Sequence, residues 1–120
     1  MPKKILVVDD EPDILAVVVF RLKSLGYEIV SAVDGRQGLE LIKSERPDLV
    51  LLDYRLPFMD GLEVGRRVKN DETLKGTPII LLTASSGEDI ERMVKDAGVD
   101  DYLKKPFDPG ELLAKIKAYL

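Results

Sequence analysis

Apolar residues along this chain follow two patterns that alternate. Short aliphatic runs occupy residues 5–8, 49–52 and 79–82, each bounded by turn formers or charge. Runs this short and this rich in Val, Ile and Leu read as strands buried on both faces. Between them apolar residues recur at helical spacing. Ile14, Leu15, Val18, Leu22 and Leu25 make one helical face, opened by Pro12, with Asp10 or Glu11 suiting its N-terminal dipole, and closed by Gly26. The β-branched run 17–19 weakens this helix slightly, but spacing and caps outweigh it. A second helix carries Leu39, Leu41 and Ile42 after the Asp34-Gly35 turn, and Pro47 stops it. A third spans residues 62 to 70, and a fourth carries Ile90, Met93, Val94 and Ala97 up to Gly98. Pro109 and Gly110 open the fifth, with Leu112, Leu113, Ile116 and Leu120 expected to face inward. Residues 27–32 and 99–103 supply the two remaining strands.

Strand and helix thus alternate five times with short connections. That predicts an α/β fold, a parallel sheet with helices on both faces. A chain of 120 residues is expected to form a single domain, 1–120, and contains no low-complexity segment or linker.

Composition removes several chemistries. There is no cysteine, hence no disulfide, thiolate metal site or Cys nucleophile. There is no histidine, hence no imidazole acid/base group, Ser-His-Asp triad or His ligand, and no phosphohistidine on this chain. A net charge of −4 without a basic run argues against direct nucleic-acid binding. The apolar stretches are too short to span a bilayer, and Met1-Pro2-Lys3-Lys4 does not open a secretory signal. The expectation is a cytoplasmic protein with no membrane association.

The strand ends carry the chemistry. The first ends in Asp9 and Asp10, the third in Asp53, the fourth in Thr83 and the fifth in Lys105. In a parallel sheet these ends share one edge, where ligands of open α/β sheets bind. Three carboxylates, a hydroxyl and an ammonium therefore converge. Close carboxylates raise one another's pKa unless a cation intervenes. Oxygen ligands without His or Cys select Mg²⁺ or Ca²⁺, and the lack of EF-hand spacing favours Mg²⁺. A carboxylate can also attack phosphorus to give an aspartyl phosphate. Mg²⁺ and Lys105 would offset the added charge, and Thr83 could donate to a phosphoryl oxygen.

The segments VVDDE, LLDYRLPFMDG, LLTAS and DDYLKKPF, in this order and spacing, resemble the receiver domain of two-component response regulators (CheY-like) over essentially the whole chain. The resemblance implies a flavodoxin-like, doubly wound (βα)5 three-layer sandwich with strand order 2-1-3-4-5. It implies that Asp53 is the phosphoacceptor and that Asp9, Asp10, Asp53 and the main-chain carbonyl of Arg55 hold Mg²⁺. Thr83 and Lys105 would contact the phosphoryl group, Tyr102 would be the aromatic switch, and the Lys105–Pro106 bond would be cis. The partner would be a sensor histidine kinase or a histidine phosphotransfer protein. Phosphorylation would draw Thr83 inward, let Tyr102 rotate, and change the surface of helix 4, strand 5 and helix 5. Such a chain turns over no external substrate, although it catalyses its own phosphorylation and dephosphorylation.

Each residue also has an ordinary reading: Asp9 and Asp10 as helix caps, Asp53 as a turn residue, Thr83 as a β-former, Lys105 as a solvated loop charge, Tyr102 as a core aromatic. All four strand ends would then match by accident. Two other functions compete, an aspartyl-phosphate phosphohydrolase and a receiver fold acting as a constitutive binding module. The phosphohydrolase lacks its DxD after the first strand and any cap insertion. A nucleotide or flavin module would need a Gly-rich loop where acids stand. The ending ELLAKIKAYL resembles receivers joined to winged-helix domains, so the chain is either a stand-alone regulator or one domain of a longer protein. Those receivers dimerise through helix 4, strand 5 and helix 5. Here Lys115 and Lys117 stand where arginine is common, with Asp100 and Asp101 as expected partners. Arg55 and Ser85 are expected to tune the lifetime of the phosphoryl group.

Overall fold

Strand and helix alternate through the whole of this computed structural model, which describes residues 2–85 and 87–120. The elements are β1 (Lys4–Val8), α1 (Pro12–Ser24), β2 (Glu28–Ala32), α2 (Gly35–Glu45), β3 (Leu49–Asp53), α3 (Gly61–Lys69), β4 (Ile79–Thr83), α4 (Glu88–Ala97), β5 (Asp101–Lys104) and α5 (Pro109–Tyr119). The strands form one parallel sheet in the order β2-β1-β3-β4-β5, the flavodoxin-like arrangement expected. The winding reverses between β1 and β3, and a crevice opens there beyond the carboxyl ends of both strands.

Helices cover both faces, and strand residues alternate between two cores. Leu6, Val8, Val50, Leu52, Ile79 and Leu81 pack against α2, α3 and α4 through Ile42, Val64, Val68, Ile90 and Val94. Ile5, Val7, Leu49, Leu51, Ile80 and Leu82 pack against α1 and α5 through Val18, Leu22, Leu112 and Ile116. Burial on both faces is why β1, β3 and β4 read as unbroken aliphatic runs. Register then aligns the strand ends: Val8 lies beside Leu52, Asp53 beside Leu82, and Thr83 beside Lys104.

Three expectations differ in detail. β5 begins at Asp101 rather than at residue 99, because the Asp100 carboxylate accepts the Ile79 N–H at 2.8 Å and pairs with Lys69 at 2.7 Å. Those polar contacts close the strand start before the ladder of β5 begins. Leu120 is 37 % exposed; Tyr119 packs on the core of that face instead. On α1 the inner face ends sooner than expected: Val18 and Leu22 are buried and Ile14 and Leu15 half-buried, whereas Leu25, just past the helix, is exposed.

Candidate functional site

Asp9 follows the buried end of β1 and is itself 1 % exposed. Its Oδ1 accepts the Glu11 N–H at 2.9 Å, and its Oδ2 accepts from Lys105 Nζ at 3.3 Å. Asp10 and Glu11 stand exposed at the mouth of the crevice. Asp53, the last residue of β3, is 5 % exposed, and its Oδ2 lies 3.2 Å from the same Lys105 Nζ. Thr83 ends β4, is 2 % exposed, and accepts the Ser85 N–H on Oγ1 at 3.0 Å. The Lys105 N–H donates to the Thr83 carbonyl at 2.7 Å, which anchors the backbone that carries the ammonium. The Lys105–Pro106 bond is cis, as the resemblance implies.

The loop after β3 folds down tightly on Asp53. The Tyr54 N–H reaches the Leu82 carbonyl at 2.9 Å, and the Gly61 N–H reaches the Tyr54 carbonyl at 2.8 Å. A Cβ on Gly61 would stand 2.3 Å from the Asp53 carbonyl oxygen, so only glycine lets α3 start this close. The Asp60 carboxylate caps that helix by accepting the Glu63 N–H.

Burial is the main force on the Asp53 carboxyl; it lifts the pKa from 3.8 to about 6, with help from the Asp9 and Asp10 charges, while Lys105 pulls the other way. Burial works against the Lys105 ammonium, yet the Asp53 and Asp9 carboxylates outweigh it and hold its pKa above the ordinary value. Asp9, Asp10, Glu11 and Asp53 each offer a carboxylate oxygen, and these atoms lie within 4.8 Å of one another. Lys105 pairs with three of these four acids, Asp9, Glu11 and Asp53. An all-oxygen donor set with excess negative charge fits a hard divalent cation such as Mg²⁺. Both oxygens of Asp9 are engaged, whereas Asp10 has no side-chain hydrogen bond or ion pair among the described residues.

The cleft has a volume of about 460 Å³ and is lined by Asp10, Glu11, Asp53, Arg55, Thr83, Ser85 and Lys105 among others. The structure thus gathers Asp9, Asp10, Asp53, Arg55, Thr83 and Lys105 at one edge. Tyr102 is outside the cleft, half-buried on the α4 side of β5, with its hydroxyl donating to Glu91 Oε1 at 3.3 Å. Glu11 is a member of the acid cluster that the sequence reading assigned to the helix dipole alone; the signal was the third acid in succession. Asp100 pairs within the chain with Lys69, and Asp101 with Lys115, not Lys117.

The model of the response regulator receiver domain family matches residues 5–117. The phosphate regulon transcriptional regulatory protein PhoB of Pseudomonas aeruginosa is 44 % identical over 118 residues, covering 98 % of this chain and 52 % of that protein. The chain spans about half the length of the curated relatives it matches. Among solved structures, the chemotaxis protein CheY4 of Vibrio cholerae is similar with a TM-score of 0.93 and 33 % identity, each chain covered completely. The receiver domain of a Pseudomonas aeruginosa sensor histidine kinase, with magnesium coordinated in its active-site cleft, gives a TM-score of 0.89 and 34 % identity over 99 % of this chain and 98 % of that one.

Proposed function

The chain belongs to the response regulator receiver domain family of two-component signalling, and we propose that it accepts a phosphoryl group on Asp53 from a histidine of a sensor kinase or phosphotransfer protein. The observation that carries this reading is a half-buried ammonium, Lys105, held between the buried Asp53 and Asp9 in a cleft that also contains Thr83. At pH 7, above the Asp53 pKa of about 6, the ionised and nucleophilic form of that carboxyl predominates. A lone pair on an Asp53 oxygen forms the new O–P bond as the N–P bond to the donor imidazole breaks, and the imidazole nitrogen keeps that bonding pair. Lys105 and the Thr83 hydroxyl balance the charge on the phosphoryl oxygens. Asp9, Asp10, Asp53 and the Arg55 carbonyl would hold Mg²⁺, which when bound supplies positive charge against the same oxygens. The absence of histidine from the chain fits a donor in another protein.

That donor must cover the rim of the cleft. An apolar groove of about 580 Å³, formed by Ile14, Val17, Pro106 and Phe107, adjoins the cleft through Ala84 and Lys105 and is where the donor protein would seat. Output follows a population shift in which Thr83 moves toward the phosphoryl group and Tyr102 turns inward, altering the face of α4, β5 and α5. A homodimer on that face must exchange the intrachain Lys115–Asp101 pair for pairs between copies. Sedimentation tests this: a shift to dimer on phosphorylation supports it, and a persistent monomer removes it. In a longer protein the receiver would control an output domain, a reading supported by relatives that are named as transcriptional regulators and are twice as long.

Intact mass after incubation with acetyl phosphate tests the chemistry. One phosphoryl group should be gained with Mg²⁺, and none with chelator or in Asp53→Ala. Labelling that ignores Mg²⁺ and Asp53, or no labelling at all, would overturn the reading. Catalytic release of phosphate from a free ester without stoichiometric labelling would favour the phosphohydrolase instead.

A further inference from the structure

We infer that Glu91 is a positioning residue for the switch: its carboxylate holds the Tyr102 hydroxyl on the outer side of β5 in the resting chain and opposes the inward turn of that ring. This rests on the receiver reading above. The ring of Tyr102 packs against a core that contains Ile90 and Val94 of α4, so apolar contact anchors the ring and leaves its hydroxyl to be placed by a polar partner. That partner is Glu91 Oε1 at 3.3 Å, one residue from the buried Ile90 and therefore carried on a fixed part of α4. Asp101, the other acid beside this phenol, is already engaged. The Asp101 oxygens accept Lys115 Nζ at 3.0 Å each, Oδ2 also receives the Tyr119 hydroxyl at 3.2 Å, and Oδ1 receives the Tyr102 N–H. Burial and the Glu91 charge keep the phenol of Tyr102 above its ordinary pKa, so it stays a donor at neutral pH.

The physical consequence has a definite sign. The hydrogen bond exists only with the ring outward, so it stabilises the resting state alone. A bond to an ionised acceptor is stronger than one between neutral groups, but this one is exposed to water. Its loss should shift the resting-to-active balance by about 2- to 5-fold, the lower part of the range for a single hydrogen bond.

Two readouts test the latch on the intact chain. The first is the acetyl phosphate concentration that half-labels the protein, in wild type, Glu91→Ala, Tyr102→Phe and the double variant. Glu91→Ala should lower that concentration about 2- to 5-fold, and should change nothing once Tyr102 is Phe. An equal effect in both backgrounds, or none in either, would overturn the latch. The second is the ultraviolet titration of the Tyr102 phenol, obtained as the difference between matched Tyr and Phe chains. It should move down toward the ordinary phenol range in Glu91→Ala and part of the way in Glu91→Gln. An unchanged titration would show that Glu91 does not hold the hydroxyl. Failure of every variant to label would contradict the receiver reading, while the titration would still decide for or against Glu91.

Discussion

At the amino edge of the sheet Lys4 meets Glu28 and Glu45, and Lys69 meets Asp100 and the carbonyls of Lys75 and Thr77; at the carboxyl edge one ammonium, Lys105, faces Asp9, Glu11 and Asp53. The acids of the amino edge serve the backbone as well. Asp48 accepts the Lys4 N–H, and Asp100 accepts the Ile79 N–H, so each closes the start of a strand. Each of those acids has a cation or a backbone N–H as its partner, and together they hold strands in register. The carboxyl edge is left acidic, and its buried Asp53 binds its proton more tightly than a free carboxyl does. Uncompensated buried negative charge opposes folding but attracts a cation, and in the proposed function that cation and Lys105 together offset the charge of an incoming phosphoryl group. The two edges of one sheet thus separate the work of stability from that of chemistry.

The largest effect should come from the unbalanced edge. Lys105→Met removes the cation paired with Asp9 and Asp53, and labelling by acetyl phosphate with Mg²⁺ should slow by about 10²-fold, comparable to loss of one donor to a developing charge. Single-turnover labelling followed by mass checks this; a rate within twofold of wild type would remove Lys105 from the chemistry. At the amino edge, Lys69→Met breaks a largely buried ion pair and two bonds to carbonyls, and leaves Asp100 without its cation. Urea unfolding should show a loss of about 2–4 kcal/mol, while labelling of the folded chain is unchanged. A smaller effect of opposite sign is expected from Asp53→Asn. Because the folded pKa lies above the unfolded one, the folded state holds more protons between pH 3.8 and about 6, so the carboxyl weakens the fold as pH rises through that window. Above it the weakening is complete, and at pH 7 in chelator the Asn variant should be more stable by about 1–3 kcal/mol. The gain should shrink as pH falls through that window and vanish below about pH 3, where Asp53 is protonated in both states; a variant less stable than wild type at pH 7 would contradict this.

The strands and the residues at their ends were legible because burial on both faces writes an unbroken aliphatic run, and the residue that ends the run is the one that reaches the edge. Asp53, Thr83 and Lys105 could be placed at one edge in that way. The start of β5 was not legible. There a side chain, the Asp100 carboxylate, satisfies the neighbouring strand's N–H, and periodicity carries no trace of it. The role of Lys69 was hidden for the same reason, since its partners lie on backbone carbonyls and on an acid 31 positions away. Gly61 closes the segment LLDYRLPFMDG, but its close approach to the Asp53 carbonyl is a matter of three-dimensional proximity that the sequence does not display. On α1, helical spacing marks an apolar face without showing how much of it a neighbour covers, so the exposed Leu25 could not be told from the buried Val18 and Leu22.

The most direct test of the acidic edge is a carboxyl-carbon NMR titration of Asp53, in chelator and again with Mg²⁺. The account predicts a midpoint of about 6 in chelator that moves down when Mg²⁺ is added, because a bound cation favours the ionised carboxylate. A midpoint at the ordinary 3.8 under both conditions would contradict it.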